Sequence, residues 1–202
     1  MATGPRYKVP FRRRRESKTD YHARRRMIGS GRPRIVVRKT GTRIIVQVTE
    51  ALSKGDRSIA TADSKQLEKY GWHAGLKNLP AAYLTGFLAG HRAIKGGTKA
   101  AIADIGLIQP ITGSRIFSAI KGAIDAGLLV PCSDEIFPNE KRIRGEHIAA
   151  YAKDLSANQP NVFKRQFGQL SKGRVDLTKL PSMYEATKAK IETEFKRGRS
   201  EQ

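Results

Sequence analysis

The chain has 202 residues, with 39 Lys and Arg against 18 Asp and Glu, a formal net charge of +21 and a pI near 10.5. A compact monomer repels itself at that charge, so the composition points to a polyanionic partner, with nucleic acid ahead of an anionic membrane and of mere solubility. A lone cysteine, Cys132, excludes an intrachain disulfide, and no apolar run approaches the ~18 residues that would span a bilayer.

The charge is concentrated at one end. Residues 1–43 hold fifteen of the basic residues but only Glu16 and Asp20 of the acidic ones, so +13 of the net +21 lies there. That is a basic arm joined to a milder body. Residues 1–16 are expected to be extended, with Pro5 and Pro10 discouraging helix. The arm lacks the apolar stretch of a secretory signal. "SKTD" has capping-box spacing from Ser17 to Asp20, and a short basic helix is expected over 18–28, stopped by "GSG" at 29–31.

"RIVVRKTGTRIIVQVTE" reads as a β-hairpin, with strands at 34–39 and 43–49 around a Gly-containing turn. Ile44, Val46 and Val48 fall on one face, and Ile45, Gln47 and Thr49 on the other. A third strand is expected at 57–62. Asp63–Ser64 then caps a helix that ends at Gly71. A helix over 79–95 follows, capped by Asn78, with Pro80 in its first turn and an apolar stripe of Leu79, Tyr83, Leu84, Phe87 and Leu88. The apolar run 99–107 suits a buried strand, and 114–128 an amphipathic helix. Past 131 the chain reads as an exposed loop, then three helices at 144–156, 161–170 and 181–197. The expected class is α/β (α+β-like). A three-stranded meander and a crossover strand form a mixed sheet packed with helices. The expected parts are an arm with a short helix (1–31), a globular core (32–130) and a helical C-terminal extension (131–202).

Enzyme chemistry finds little support. The four histidines show no metal-ligand spacing, and no glycine-rich phosphate loop is present. Asp56, Asp63, Asp104 and Asp125 could gather as a two-metal nuclease site, although Asp63 reads better as a cap. RNA binding fits the residues better. Arg and Lys neutralise phosphates and release counterions. Aromatic rings among them stack on unpaired bases, and an arginine excess suits bidentate phosphate contacts. Tyr7, Phe11 and Tyr21 are interleaved with Arg6, Lys8, Arg12, Arg13, Arg14, Arg15, Lys18, Arg24, Arg25 and Arg26 in that way. The hairpin adds Arg34, Arg38, Lys39 and Arg43, expected near one end of the sheet, so that arm and sheet make one cationic surface. A basic RNA-binding or assembly factor is the other reading consistent with these features.

Four motifs carry a more specific resemblance: "FRRRRESKTDYHARRRMI", "KNLPAAYLTGFLAG", "GLIQPITGSRIFSAIKGAIDAGL" followed by "VPCS", and "PSMYEATKAKI". Together they resemble the ribosomal large-subunit protein eighteen family of the archaeal and eukaryotic type, across essentially the whole chain. The resemblance implies a non-enzymatic, cytoplasmic ribosomal component without a cofactor. It would bind 5S rRNA and attach it to large-subunit rRNA at the central protuberance, beside neighbouring large-subunit proteins and with no membrane contact. It also implies RNA contacts from the arm, the basic helix and the hairpin cations. Thr19, Lys77, Asn78 and Trp72 join them, as do Thr112, Ser114 and Arg115 at a helix N-terminus, a natural phosphate site.

Overall fold

The computed structural model describes residues 4–172 and 175–200, so the first three residues of the arm lie outside the described ones. A four-stranded sheet is its centre. Strands β1 (Arg34–Lys39), β2 (Ile44–Leu52), β3 (Gly55–Asp63) and β4 (Ile102–Asp104) lie in the order β3-β2-β1-β4. The first three form the expected antiparallel meander, and β4 pairs with β1 in parallel. The β1–β2 turn is closed by Thr40, whose amide donates to the Arg43 carbonyl at 2.9 Å. Ile44, Val46 and Val48 are buried in alternation with half-exposed Ile45 and Gln47. A register shift at Val48/Thr49 breaks that alternation, so Thr49 is buried beside Val48 instead of facing outward.

The crossover from β3 to β4 begins with Asp63, which accepts from the Lys65 amide and starts a turn of 3-10 rather than α-helix over Ser64–Tyr70. Helix α3 (Leu79–Lys95) follows, capped by Asn78, and nearly its whole circumference is buried. The sheet covers one side. Helix α4 (Arg115–Asp125) covers another, where Gly86 of α3 and Gly122 of α4 let the two backbones touch. β4 is shorter than the apolar run that suggested it. Asp104 accepts from the Gly106 amide, and Gly106 takes φ 64°, so the chain turns away from the sheet.

The C-terminal part is continuous with this core. The stretch expected to be a loop contains α5 (Glu140–Arg144), which buries Ile143. It is followed by α6 (Glu146–Asn158), α7 (Pro160–Lys172) and α8 (Leu180–Ser200). Leu177, Leu180, Tyr184 and Ile191 join the same hydrophobic cluster as the sheet and α3. Along α8, Tyr184 packs on Tyr83, and Phe195 stacks on His91 with ring centroids 5.1 Å apart.

The arm departs most from expectation. Arg12–Arg15 is not extended but forms one helical turn, α1, which precedes the basic helix α2 (Tyr21–Gly29). Pro10 stands before that turn rather than within it. Arginine is a good helix former, and Glu16 lies within ion-pair reach of Arg12 and Lys18. Ser17 does not cap the second helix, since its backbone is left-handed (φ 49°) and forms the corner between the two helical pieces. Asp20 is the cap, accepting from the amides of His22 and Ala23.

Candidate nucleic-acid interface

The arm and the basic helix present cations with few internal partners. Arg6, Lys8, Arg12, Arg13, Arg14, Arg15, Lys18, Arg25 and Arg26 are exposed. Apart from Arg12 and Lys18 at Glu16, none of them has a carboxylate within ion-pair distance among the described residues. Arg13 Nε donates to Thr19 Oγ1 at 2.8 Å, so Thr19 braces the charge. Tyr7 is 50% and Phe11 71% exposed, an unusual placement for rings of that size. Phe11 leans on Tyr21 at 5.2 Å, which leaves its outer face open for stacking. Between the arm, the basic helix, β1 and the loop 105–108 lies a groove of about 530 Å³ that Arg13, Lys18, Arg24, Arg38 and Lys39 help to line.

The four hairpin cations divide into two kinds. Arg38 and Lys39 are exposed at the turn end of β1 and have no carboxylate partner among the described residues. Arg43 pairs with Asp63 at 3.0 Å. Arg34 lies at the other end of β1, about 17 Å away at ~3.3 Å per residue, and is only 2% exposed. Its Nη1 donates to Asp104 Oδ2 at 2.7 Å, and its Nη2 sits 2.8 Å from Asp56 Oδ2 as an ion pair. Asp56 also accepts from Arg24 at 2.8 Å. Arg34 is therefore not part of the cationic surface. It is the buried cation that ties β1, β3 and β4 together and, through Asp56, the basic helix to the sheet.

Burial pushes the Asp56 carboxyl up, but the hydrogen bonds and charges of Arg24 and Arg34 outweigh it and hold its pKa below the usual carboxylate value. The nuclease reading fails on the same geometry. Asp56 and Asp104 meet around a guanidinium, Asp63 is a cap, and Asp125 accepts from the Tyr83 hydroxyl at 2.7 Å.

The remaining residues of interest lie on the body. Trp72 is fully buried, with Nε1 donating to the Gly75 carbonyl, so it is a core residue and not an RNA contact. Asn78 caps α3 through the Ala81 amide at 2.9 Å. Lys77 Nζ donates to the Gly41 carbonyl at 2.8 Å, and Arg115 donates to the Lys77 carbonyl at 3.1 Å. The hairpin turn, the loop before α3 and the start of α4 are thereby drawn together around a groove of about 790 Å³. Thr112 is exposed on the loop before α4. Ser114 holds the N-cap position, but its buried Oγ has no partner among the described residues. Arg142 and His147, from α5 and α6, also line this groove, and sequence reasoning passed over both. "EKRIRGEH" offered a basic run, but it followed Pro138 and read as loop. Burial, with the Arg142 charge second, lowers the His147 pKa and so favours the uncharged ring in the free chain.

A family model described as ribosomal large subunit proteins 60S L5 and 50S L18 matches residues 5–101. Large ribosomal subunit protein uL18 of Thermofilum pendens is 51% identical over 193 residues, covering 95% of this chain and 98% of that protein. The protein of the same name from Staphylothermus marinus is 52% identical over 197 residues, covering 97% of this chain and 98% of its own. That of Desulfurococcus amylolyticus is 52% identical over 198 residues, covering 98% and 100%. All three organisms are archaea.

Proposed function

This chain belongs to the family of ribosomal large-subunit proteins 60S L5 and 50S L18, and we propose that within the particle it binds 5S rRNA and attaches it to large-subunit rRNA at the central protuberance. It is a structural ribosomal protein rather than an enzyme. The observation that carries the finer reading is the arm with its basic helix. Six exposed cations from Arg6 to Arg15, two open rings and the exposed Arg25 and Arg26 are carried on the arm and basic helix, and Arg13, Lys18 and Arg24 line a groove beside the sheet.

Physically, the arginines supply the sequence-independent part of the affinity by releasing counterions from phosphates. Tyr7 and Phe11 add stacking on unpaired bases. Structured RNA with splayed loop bases suits that combination better than a regular duplex does. The corner at Ser17 and the Arg24–Asp56 bond aim the charges from a fixed base, so part of the ordering entropy has been met before RNA arrives. Lys18, Thr19, Tyr21, Arg38 and Lys39 complete this surface.

The direct test is protein–RNA crosslinking on intact large subunits, together with binding of purified full-length chain to a 5S rRNA transcript. Crosslinks from the arm to 5S rRNA are expected. So is a fall in affinity of roughly 10³–10⁵ between 50 and 200 mM salt for ~6–10 phosphate contacts. Arm crosslinks confined to other RNA, or affinity insensitive to salt, would sink the 5S reading.

A further inference from the structure

We propose that the groove lined by Lys39, Lys77, Arg115, Arg142 and His147 is a second RNA-backbone site, independent of the arm, to which α5 and α6 contribute directly. This rests on the RNA-binding reading above and extends it to residues of the C-terminal helices.

Four permanent cations line this concavity, and no carboxylate does. Two arginines of the sheet are neutralised internally, Arg34 by Asp56 and Asp104, and Arg43 by Asp63. Here Lys77 and Arg115 donate only to backbone carbonyls, and Lys39 and Arg142 have no carboxylate within ion-pair distance among the described residues. Four like charges around one depression repel each other unless an anion fills it, and concave walls focus the field outward.

Lys39 lines both this groove and the one under the arm. The loop 105–113 stands between them, with Leu107 and Ile111 exposed at 52% and 60%. A phosphate backbone leaving the arm groove past Lys39 crosses this apolar crest into a groove whose lining holds no carboxylate. The crest offers contact to sugar and base faces, where a charged ridge would not. Arg142 and His147 close the far wall, Arg142 as a bidentate phosphate donor and His147 as a further hydrogen-bonding group.

The experiment uses full-length chain and a 5S rRNA transcript, with binding measured over a series of salt concentrations. Three proteins are compared with the parent. The first carries Arg142→Glu, the second Lys39→Gln with Arg142→Gln, and the third Arg12→Gln, Arg13→Gln, Arg14→Gln and Arg15→Gln. Both groove variants change exposed side chains, and thermal melting checks that they fold. The expected result for Arg142→Glu is roughly tenfold weaker binding and a salt slope smaller by about 1. The arm variant should keep a residual, salt-dependent affinity. The proposal is overturned if both groove variants fold and bind like the parent with an unchanged salt slope; the arm reading then stands alone. If the parent itself shows no preference for 5S rRNA over an unrelated structured RNA but the groove variants still lose affinity, the groove stands and the 5S assignment falls.

Discussion

Arg24 of the basic helix and Asp56 of β3, 32 positions apart in sequence, meet at 2.8 Å. The same carboxylate faces the buried Arg34, so one acidic residue orients the RNA-facing helix and balances a core charge. Replacing it with asparagine keeps the shape but leaves Arg34 with Asp104 alone. We expect Asp56→Asn to destabilise the chain by about 1–3 kcal/mol and to raise protease sensitivity within residues 21–29.

The same site sets part of the acid limb of stability. Asp56 has a depressed pKa in the folded chain, so its contribution is complete above the unfolded value of ~3.9 and is lost as pH falls through the lower folded value. Chemical denaturation of the parent and of Asp56→Asn, followed from pH 6 downward, should show the two curves converging below about pH 4.

Arg34 separates stability from RNA affinity. Arg34→Gln leaves Asp104 and Asp56 without their buried cation and should cost about 3–5 kcal/mol by denaturant titration. Below its melting temperature the variant should retain the parent's salt slope on RNA. A lost slope in the folded variant would put Arg34 at the interface after all.

The rings of the arm can be tested apart from its charge. Phe11→Ala and Tyr7→Ala should each weaken RNA binding by about 1–3 kcal/mol without changing the salt slope. A changed slope would mean that the rings hold the arginines in place instead of stacking on bases.

The α3–α4 contact is a backbone contact. A methyl at Gly86 or Gly122 would run into the carbonyls of Ala119 or Tyr83. Gly122→Ala should therefore destabilise by at least the ~1–3 kcal/mol typical of overpacking, read as a lower melting temperature.

Local patterns made much of this fold legible. The hairpin, the Asn78 cap, the α3 stripe and the presence of a fourth strand all follow from residues a few positions apart. What sequence reasoning missed depends on distant partners. Arg34 looks like any strand-end arginine until Asp104, 70 positions away, and Asp56 are folded against it. The resemblance placed Trp72 among the RNA contacts, yet the core closes over it. The helix of the arm was hidden because Pro10 suggested breakage, although a proline just ahead of a helical turn does it no harm. Arg142 and His147 reach a groove whose other wall is built from residues 39–116, and no local spacing could have shown it.

The packing of α8 on α3 bears on the order in which a newly made chain can acquire its parts. Tyr83 and His91 are covered by Tyr184 and Phe195, near the opposite end of the polypeptide. During synthesis the cationic arm and its partner Asp56 emerge well before α8, whereas the apolar flank of α3 stays uncovered until α8 is made. The chain is thus able to engage a polyanion before its own body has closed.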